Sequence, residues 1–131
     1  MRVYLCRHAH ALPGEPDEFR ELSAEGVEQA RALGESLSAR AAAPVVVLSS
    51  PLLRARQTAA ELGRAVGVPV RVDDALAPGA TADGLAQALE GEQGPVATVG
   101  HQPDCSEIAY AVIGRDPGFP VAGMVELELR T

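Results

Sequence analysis

The chain has 131 residues, 47% hydrophobic and 22% charged, the profile of one globular domain over 1–131 that buries about two-thirds of the surface its unfolded chain exposes. All eleven basic residues are arginine against 18 acidic ones, and the formal net charge of −7 argues against non-specific binding to nucleic acid or to an anionic membrane. Neither a basic region leading into an apolar stretch nor an apolar run of roughly 18 residues occurs, and two cysteines, Cys6 and Cys105, make no disulfide framework. The expected location is therefore the cytoplasm.

Val3, Tyr4, Leu5 and Cys6 predict a short buried strand that stops abruptly in Arg7-His8-Ala9-His10. Residues 9–22 hold Pro13, Gly14, Pro16 and several carboxylates and read as a loop. Ser23 is a candidate N-cap for a helix whose apolar face is Val27, Ala30, Leu33, Leu37 and Ala41. The alanine run at 41–43 reads as its end, before Pro44. A continuous apolar run over 45–48 predicts a strand covered on both faces.

Ser50 as N-cap and Pro51 as first helical residue predict the next helix, which steps through Leu52, Ala55, Ala59, Leu62 and Val66 to Gly67. A brief strand follows over 68–72, then a loop over 73–82 and a short helix around Leu85 and Leu89 that ends at Gly91. Residues 96–99 form another buried strand, running into Gly100-His101-Gln102-Pro103, with Pro103 opening a helix through Ile108, Ala109, Val112 and Ile113. Val125, Leu127 and Leu129 alternate with Glu126, Glu128 and Arg130, the period of a half-exposed edge strand. This alternation of elements predicts a three-layer α/β/α sandwich with a mostly parallel sheet and an antiparallel C-terminal edge strand.

The first, second and fourth strands end in polar residues, and ligands of open α/β sheets bind at the carboxyl ends of strands. Arg7, His8, Arg54 and His101 are therefore expected to converge, with Arg20 able to swing in from the first loop. Two or three guanidiniums beside two helix starts suit a doubly charged group such as phosphate. A neutral His8 at the centre can attack phosphorus in line to give a covalent phosphohistidine, while the arginines and His101 hold the equatorial oxygens.

Taken together, Arg7-His8-Ala9, then Ser49-Ser50-Pro51-x-x-Arg54-x-x-Gln57-Thr58-Ala59, then Val99-Gly100-His101-x-Pro103 resemble the histidine phosphatase superfamily. Within it the chain is most similar to the small SixA-type phosphohistidine phosphatases, over residues 2–111. The stretch Arg-Glu-Leu-Ser-Ala-Glu-Gly over 20–26 resembles the Arg-Pro-Leu-Thr-x-x-Gly of small members, with Glu21 in place of proline. The resemblance implies His8 as phosphate acceptor, a phosphate pocket of Arg7, Arg54 and His101, and Arg20 as a further contact. It also implies no cap domain, no metal and no cofactor.

Larger relatives place a Glu or Asp proton donor after the third strand, whereas the position matching the Glu of SixA-type chains is Ala75 here. Asp73, Asp74, Asp17 and Glu18 stand as alternative donors. A site weak in general-acid help favours a phosphorus–nitrogen bond over a sugar phosphate, because an imidazole leaves far more readily than an alkoxide. The expected partner is then a phosphohistidine-containing protein. The alternatives are a small phosphorylated substrate at the same site and a catalytically weak phosphate- or phosphoprotein-binding module.

Other chemistries fit less well. Cysteine phosphatases need an arginine six positions after the cysteine, but Leu12 and Ala111 occupy those positions. A Gly-rich phosphate loop needs a lysine, which the chain lacks. His8, His10, His101 and Asp104 make an imaginable zinc set, which the neighbouring Arg7 and Arg54 would oppose. His10 reads as a loop residue, Arg31, Arg56 and Arg64 as solvated helix faces, and Arg20 alternatively as a salt-bridge partner.

Overall fold

Apolar runs at the centre of the sequence pattern become the centre of a sheet. The structure, a computed structural model, describes residues 1–130. In chain order it contains β1 (Arg2–Arg7), α1 (Ala24–Ser38), β2 (Val46–Ser49), α2 (Leu53–Val66), β3 (Val70–Val72), α3 (Ala82–Ala88), β4 (Val96–Gly100), α4 (Asp104–Ile113) and β5 (Met124–Glu128). Two single 3₁₀ turns, Asp17–Phe19 and Asp74–Leu76, lie in the loops.

The strands are ordered β3-β2-β4-β1-β5. All neighbours are parallel except β1 and β5, which pair antiparallel with Leu5 opposite Val125. The three inner strands are the apolar ones, since both of their faces are covered. On one face Leu33 and Leu37 of α1 and Ala55, Ala59 and Leu62 of α2 pack on Tyr4, Val47, Ala97 and Val99. On the other, Leu85 of α3, Leu89 just beyond it, and Ile108 and Ala109 of α4 pack on Val3, Leu5, Leu48 and Val96. This is the three-layer α/β/α sandwich, and among the described residues no cap domain is inserted in it.

The two cysteines fall on opposite sides of this sheet. Cys6 belongs to the core under α1 and α2, Cys105 to the core under α4, and both are buried. The Cys105 thiol donates to the Cys6 carbonyl at 3.6 Å. Burial pushes the Cys6 thiol far up its scale and the Cys105 thiol up to about 12.

Several boundaries differ from the sequence pattern. α1 stops at Ser38, and the alanine run lies in a turn beyond it because the Tyr4 hydroxyl takes the Ala42 carbonyl at 2.6 Å. β3 spans Val70–Val72 only and is exposed along its length, as an edge. α2 begins at Leu53 with Leu52 at the N-cap, and α4 begins at Asp104 with Pro103 at the N-cap. Ser50 thus lies outside α2 as assigned, although its Oγ accepts from Leu52 N at 3.2 Å.

Ser23 does cap α1, accepting from Gly26 N at 3.0 Å, and its own N–H donates to the His10 carbonyl at 3.1 Å. This brings α1 so close to the loop after β1 that a Cβ on Gly26 would sit 2.0 Å from the His10 carbonyl oxygen. Backbone, rather than a flexible side chain, stands in the way, so the contact cannot relax locally. Gly26→Ala is expected to cost about 1–3 kcal/mol of stability, read as a lower urea midpoint at unchanged slope. An unchanged midpoint would show that the loop after β1 yields freely.

Candidate functional site

The parallel registers bring three strand ends to one level. Arg7 pairs with Gly100, and Val99 pairs with both Cys6 and Ser49. The ladder continues past the strands: His8 N donates to the Gly100 carbonyl at 3.0 Å, Ser50 N to the Val99 carbonyl at 3.0 Å, and Ala122 N to the His8 carbonyl at 3.0 Å. His8 is thus held by its backbone between β4 and the chain entering β5. Its ring centroid lies 5.2 Å from that of His101.

The proton on His8 has a defined place. Nδ1 lies 2.7 Å from the Ala9 carbonyl oxygen, which can only accept, so Nδ1 carries the hydrogen and Nε2 keeps its lone pair. Burial lowers the His8 pKa below the ordinary 6.5, against the raising effect of the Ala9 bond, and the charges of Arg54, Arg7 and Arg20 lower it further. Neutral His8 with a free Nε2 is the form of a nucleophile.

Arg7, at the end of β1, donates through Nη1 to the Phe119 carbonyl at 2.9 Å. Arg54, in the first turn of α2, is buried and donates through Nη1 to the Asp17 carbonyl at 2.9 Å, and Nη2 pairs with Asp17 Oδ2 at 3.2 Å. Arg20 reaches the same Asp17 through Oδ1 at 3.2 Å and gives its Nε to the Leu12 carbonyl at 2.8 Å. Among the described residues, three buried side-chain nitrogens have no partner: Arg7 Nε, Arg54 Nε and His101 Nδ1. Buried polar groups are rarely left unpaired, and unpaired donors on two guanidiniums, with an unpaired imidazole nitrogen, beside His8 fit an oxyanion.

The remaining motif residues act as ties. Thr58 Oγ1 accepts from Ala9 N at 3.1 Å and donates to the Arg54 carbonyl at 2.9 Å, coupling the loop of His8 to the helix of Arg54. Gln57 Oε1 accepts from Leu22 N at 2.7 Å and fixes the far end of the first loop. Ser50 Oγ lies 2.7 Å from His101 Nε2, a contact that reading Ser50 as a helix cap overlooked. The signal was present in the polar end of β2, next to the polar end of β4.

The other candidates are dispersed. His10 Nδ1 contacts Ser23 Oγ at 2.7 Å, and Asp104 accepts from Gly79 N and Ala80 N, so the imagined zinc set does not assemble. Asp73 caps the 3₁₀ turn through Ala75 N, and Glu18 is exposed. Arg31 and Arg64 pair with Glu28 and Glu61 on their helix faces. Of the four candidate acids, Asp17 alone makes contact with the cluster, and it does so as an ion: its hydrogen bonds from Arg20 and Arg54 lower its pKa.

The family model described as histidine phosphatase superfamily (branch 1) matches residues 3–80. A protein from Agrobacterium tumefaciens assigned as the phosphohistidine phosphatase SixA has a similar structure, with a TM-score of 0.83 and 33% identity over 97% of this chain and 90% of that one. A counterpart from Nakamurella, assigned likewise, gives a TM-score of 0.79 and 27% identity over 95% of this chain and 83% of that one. An uncharacterised protein of a Picosynechococcus strain is 34% identical over 97% of this chain and 84% of its own length.

Asp17 occupies hydrogen-bond donors that a bound anion would share. A carboxylate between Arg20 and Arg54 competes with that anion for both guanidiniums, although solvent weakens the competition at so exposed a side chain. Asp17→Asn is therefore expected to tighten inorganic phosphate binding by about two- to five-fold in a calorimetric titration. Weaker binding would mean instead that Asp17 is needed to hold the guanidiniums in place.

Proposed function

We propose, for a chain that belongs to the histidine phosphatase superfamily (branch 1) and is by that membership a phosphatase, that its reaction runs through a covalent phosphohistidine at His8 on phosphohistidine-containing proteins. The observation that carries this reading is the set of unpartnered nitrogens on Arg7, Arg54 and His101 around a His8 whose Nε2 is free. His8 Nε2 attacks phosphorus, the bond from phosphorus to the leaving group breaks, and the leaving atom takes the bonding pair and then a proton. Water next attacks phospho-His8, returning the electron pair to Nε2 and releasing inorganic phosphate. Arg7, Arg54 and His101, with Arg20 at the edge, hold the equatorial oxygens where charge accumulates. No step requires a metal.

Proton supply supports this substrate class. Ionised Asp17 has no proton to give, while Asp73 is spent as a cap. A sugar alkoxide would leave such a site slowly. Transfer from one histidine to another exchanges one phosphorus–nitrogen bond for another and needs little help at the leaving nitrogen. The absence of a cap domain leaves room for a protein-borne imidazole to approach His8.

Two measurements test this. Incubation with a phosphodonor followed by denaturation at alkaline pH should leave a phosphoryl label on the wild type that acid removes, and none on His8→Ala. Turnover by that variant should fall by about three orders of magnitude or more, and retained turnover would sink the mechanism. A phosphohistidine protein should also be turned over faster than phosphoserine or a sugar phosphate, and the reverse order would refute the substrate assignment.

The pH dependence has a defined sign. Only neutral His8 is reactive, and its pKa lies below the ordinary 6.5, so the reactive form persists to lower pH than for a free imidazole. The acid limb of kcat/KM, corrected for ionisation of the substrate phosphoryl, should therefore fall below pH 6.5. A limb above that value would indicate that another group governs the rate.

A further inference from the structure

We infer that Ser50 is a positioning residue for this reaction: its hydroxyl donates to His101 Nε2 and thereby holds the single His101 proton on Nδ1, the ring atom left free for a phosphoryl oxygen. The inference rests on the phosphatase reading for its consequence, but the proton's location stands on geometry alone. Ser50 is fully buried, and its Oγ lies 2.7 Å from His101 Nε2. The same oxygen accepts from Leu52 N at 3.2 Å. Ser50 N is committed to the Val99 carbonyl, and the Ser50 carbonyl accepts from Ser49 Oγ at 2.8 Å. Among the described residues, the hydroxyl hydrogen has one acceptor within reach, His101 Nε2.

The opposite arrangement fails twice. If Nε2 carried the proton, it would donate to Ser50 Oγ and strand the hydroxyl hydrogen in the core without an acceptor. It would also leave a lone pair on buried Nδ1, which has no partner in the protein, facing the oxygens of a bound phosphoryl group. Burial, with the charges of His8 and Arg54, pushes the His101 pKa down to about 4, so near neutral pH the ring holds one proton and its position decides whether His101 attracts or repels that group. Leu52 at the N-cap makes no side-chain bond, and its N–H engages only a lone pair of Ser50 Oγ, so the hydroxyl hydrogen is left for this role.

The ¹⁵N spectrum of labelled wild-type protein tests this directly. His101 should show a protonated Nδ1 and an unprotonated Nε2, and Ser50→Ala should move population to the Nε2–H form. A wild-type His101 protonated on Nε2 overturns the inference, whether or not Ser50→Ala folds. In kinetics, Ser50→Ala should lower kcat/KM by about 10- to 100-fold, with Ser50→Thr recovering most of it through the retained hydroxyl. In a His101→Ala background the Ser50→Ala change should add nothing. Losses that multiply would show that Ser50 acts other than through His101. If His8→Ala turned over normally, the phosphatase reading would fail, while the nitrogen spectrum would still decide where the His101 proton sits.

Discussion

Parallel pairing of β1 with β4 and of β4 with β2 puts Cys6, Val99 and Ser49 at a common height, and the candidate site hangs from the residues just beyond it. Once the strands are in register, the backbone bonds from His8 to Gly100 and from Ser50 to Val99 follow, and side chains from three separate segments face one crevice. A one-residue slip of any of these strands would turn its side chains to the opposite face. Because both faces of each inner strand are packed, such a slip would require both helical layers to repack. Core packing and site geometry are therefore one constraint seen from two sides.

Much of this was legible in the residues. Apolar runs ending in polar pairs marked the strands and indicated which ends carry chemistry, while Ser23 announced the start of α1 correctly. The less legible parts have physical reasons. Ser50-Pro51 has the local form of a helix start, yet a buried hydroxyl is drawn to a buried imidazole across the sheet, and the helix begins later. The alanine run at 41–43 has high helix propensity, but the tyrosine hydroxyl on β1 takes a carbonyl there. Asp17 looked like one acid among four until the fold set it between two arginines distant from each other in sequence. In each case a long-range polar contact overrode a local preference.

The charge distribution resolves an apparent contradiction. A chain with a net charge of −7 has no long-range attraction for a phosphorylated ligand. Local geometry has to supply it, and guanidiniums suit the task because they stay charged when buried and bind oxyanions through a planar fork. Burial is the main cause that keeps His8 and His101 neutral, and the arginine charges add to it. The small cluster of arginines thus serves anion binding and also assists the nucleophile's availability.

The cysteines lead in another direction. Cys6, on β1, and Cys105, on α4, are buried in the two separate cores on opposite faces of the sheet. Because their thiolates are suppressed while the sheet is closed, alkylating reagents and mild oxidants find little to react with in the folded protein. Each thiol becomes reactive only when its own layer lifts from the sheet. The pair is a built-in gauge of opening, able to report separately whether the α1–α2 layer or the α3–α4 layer comes away first.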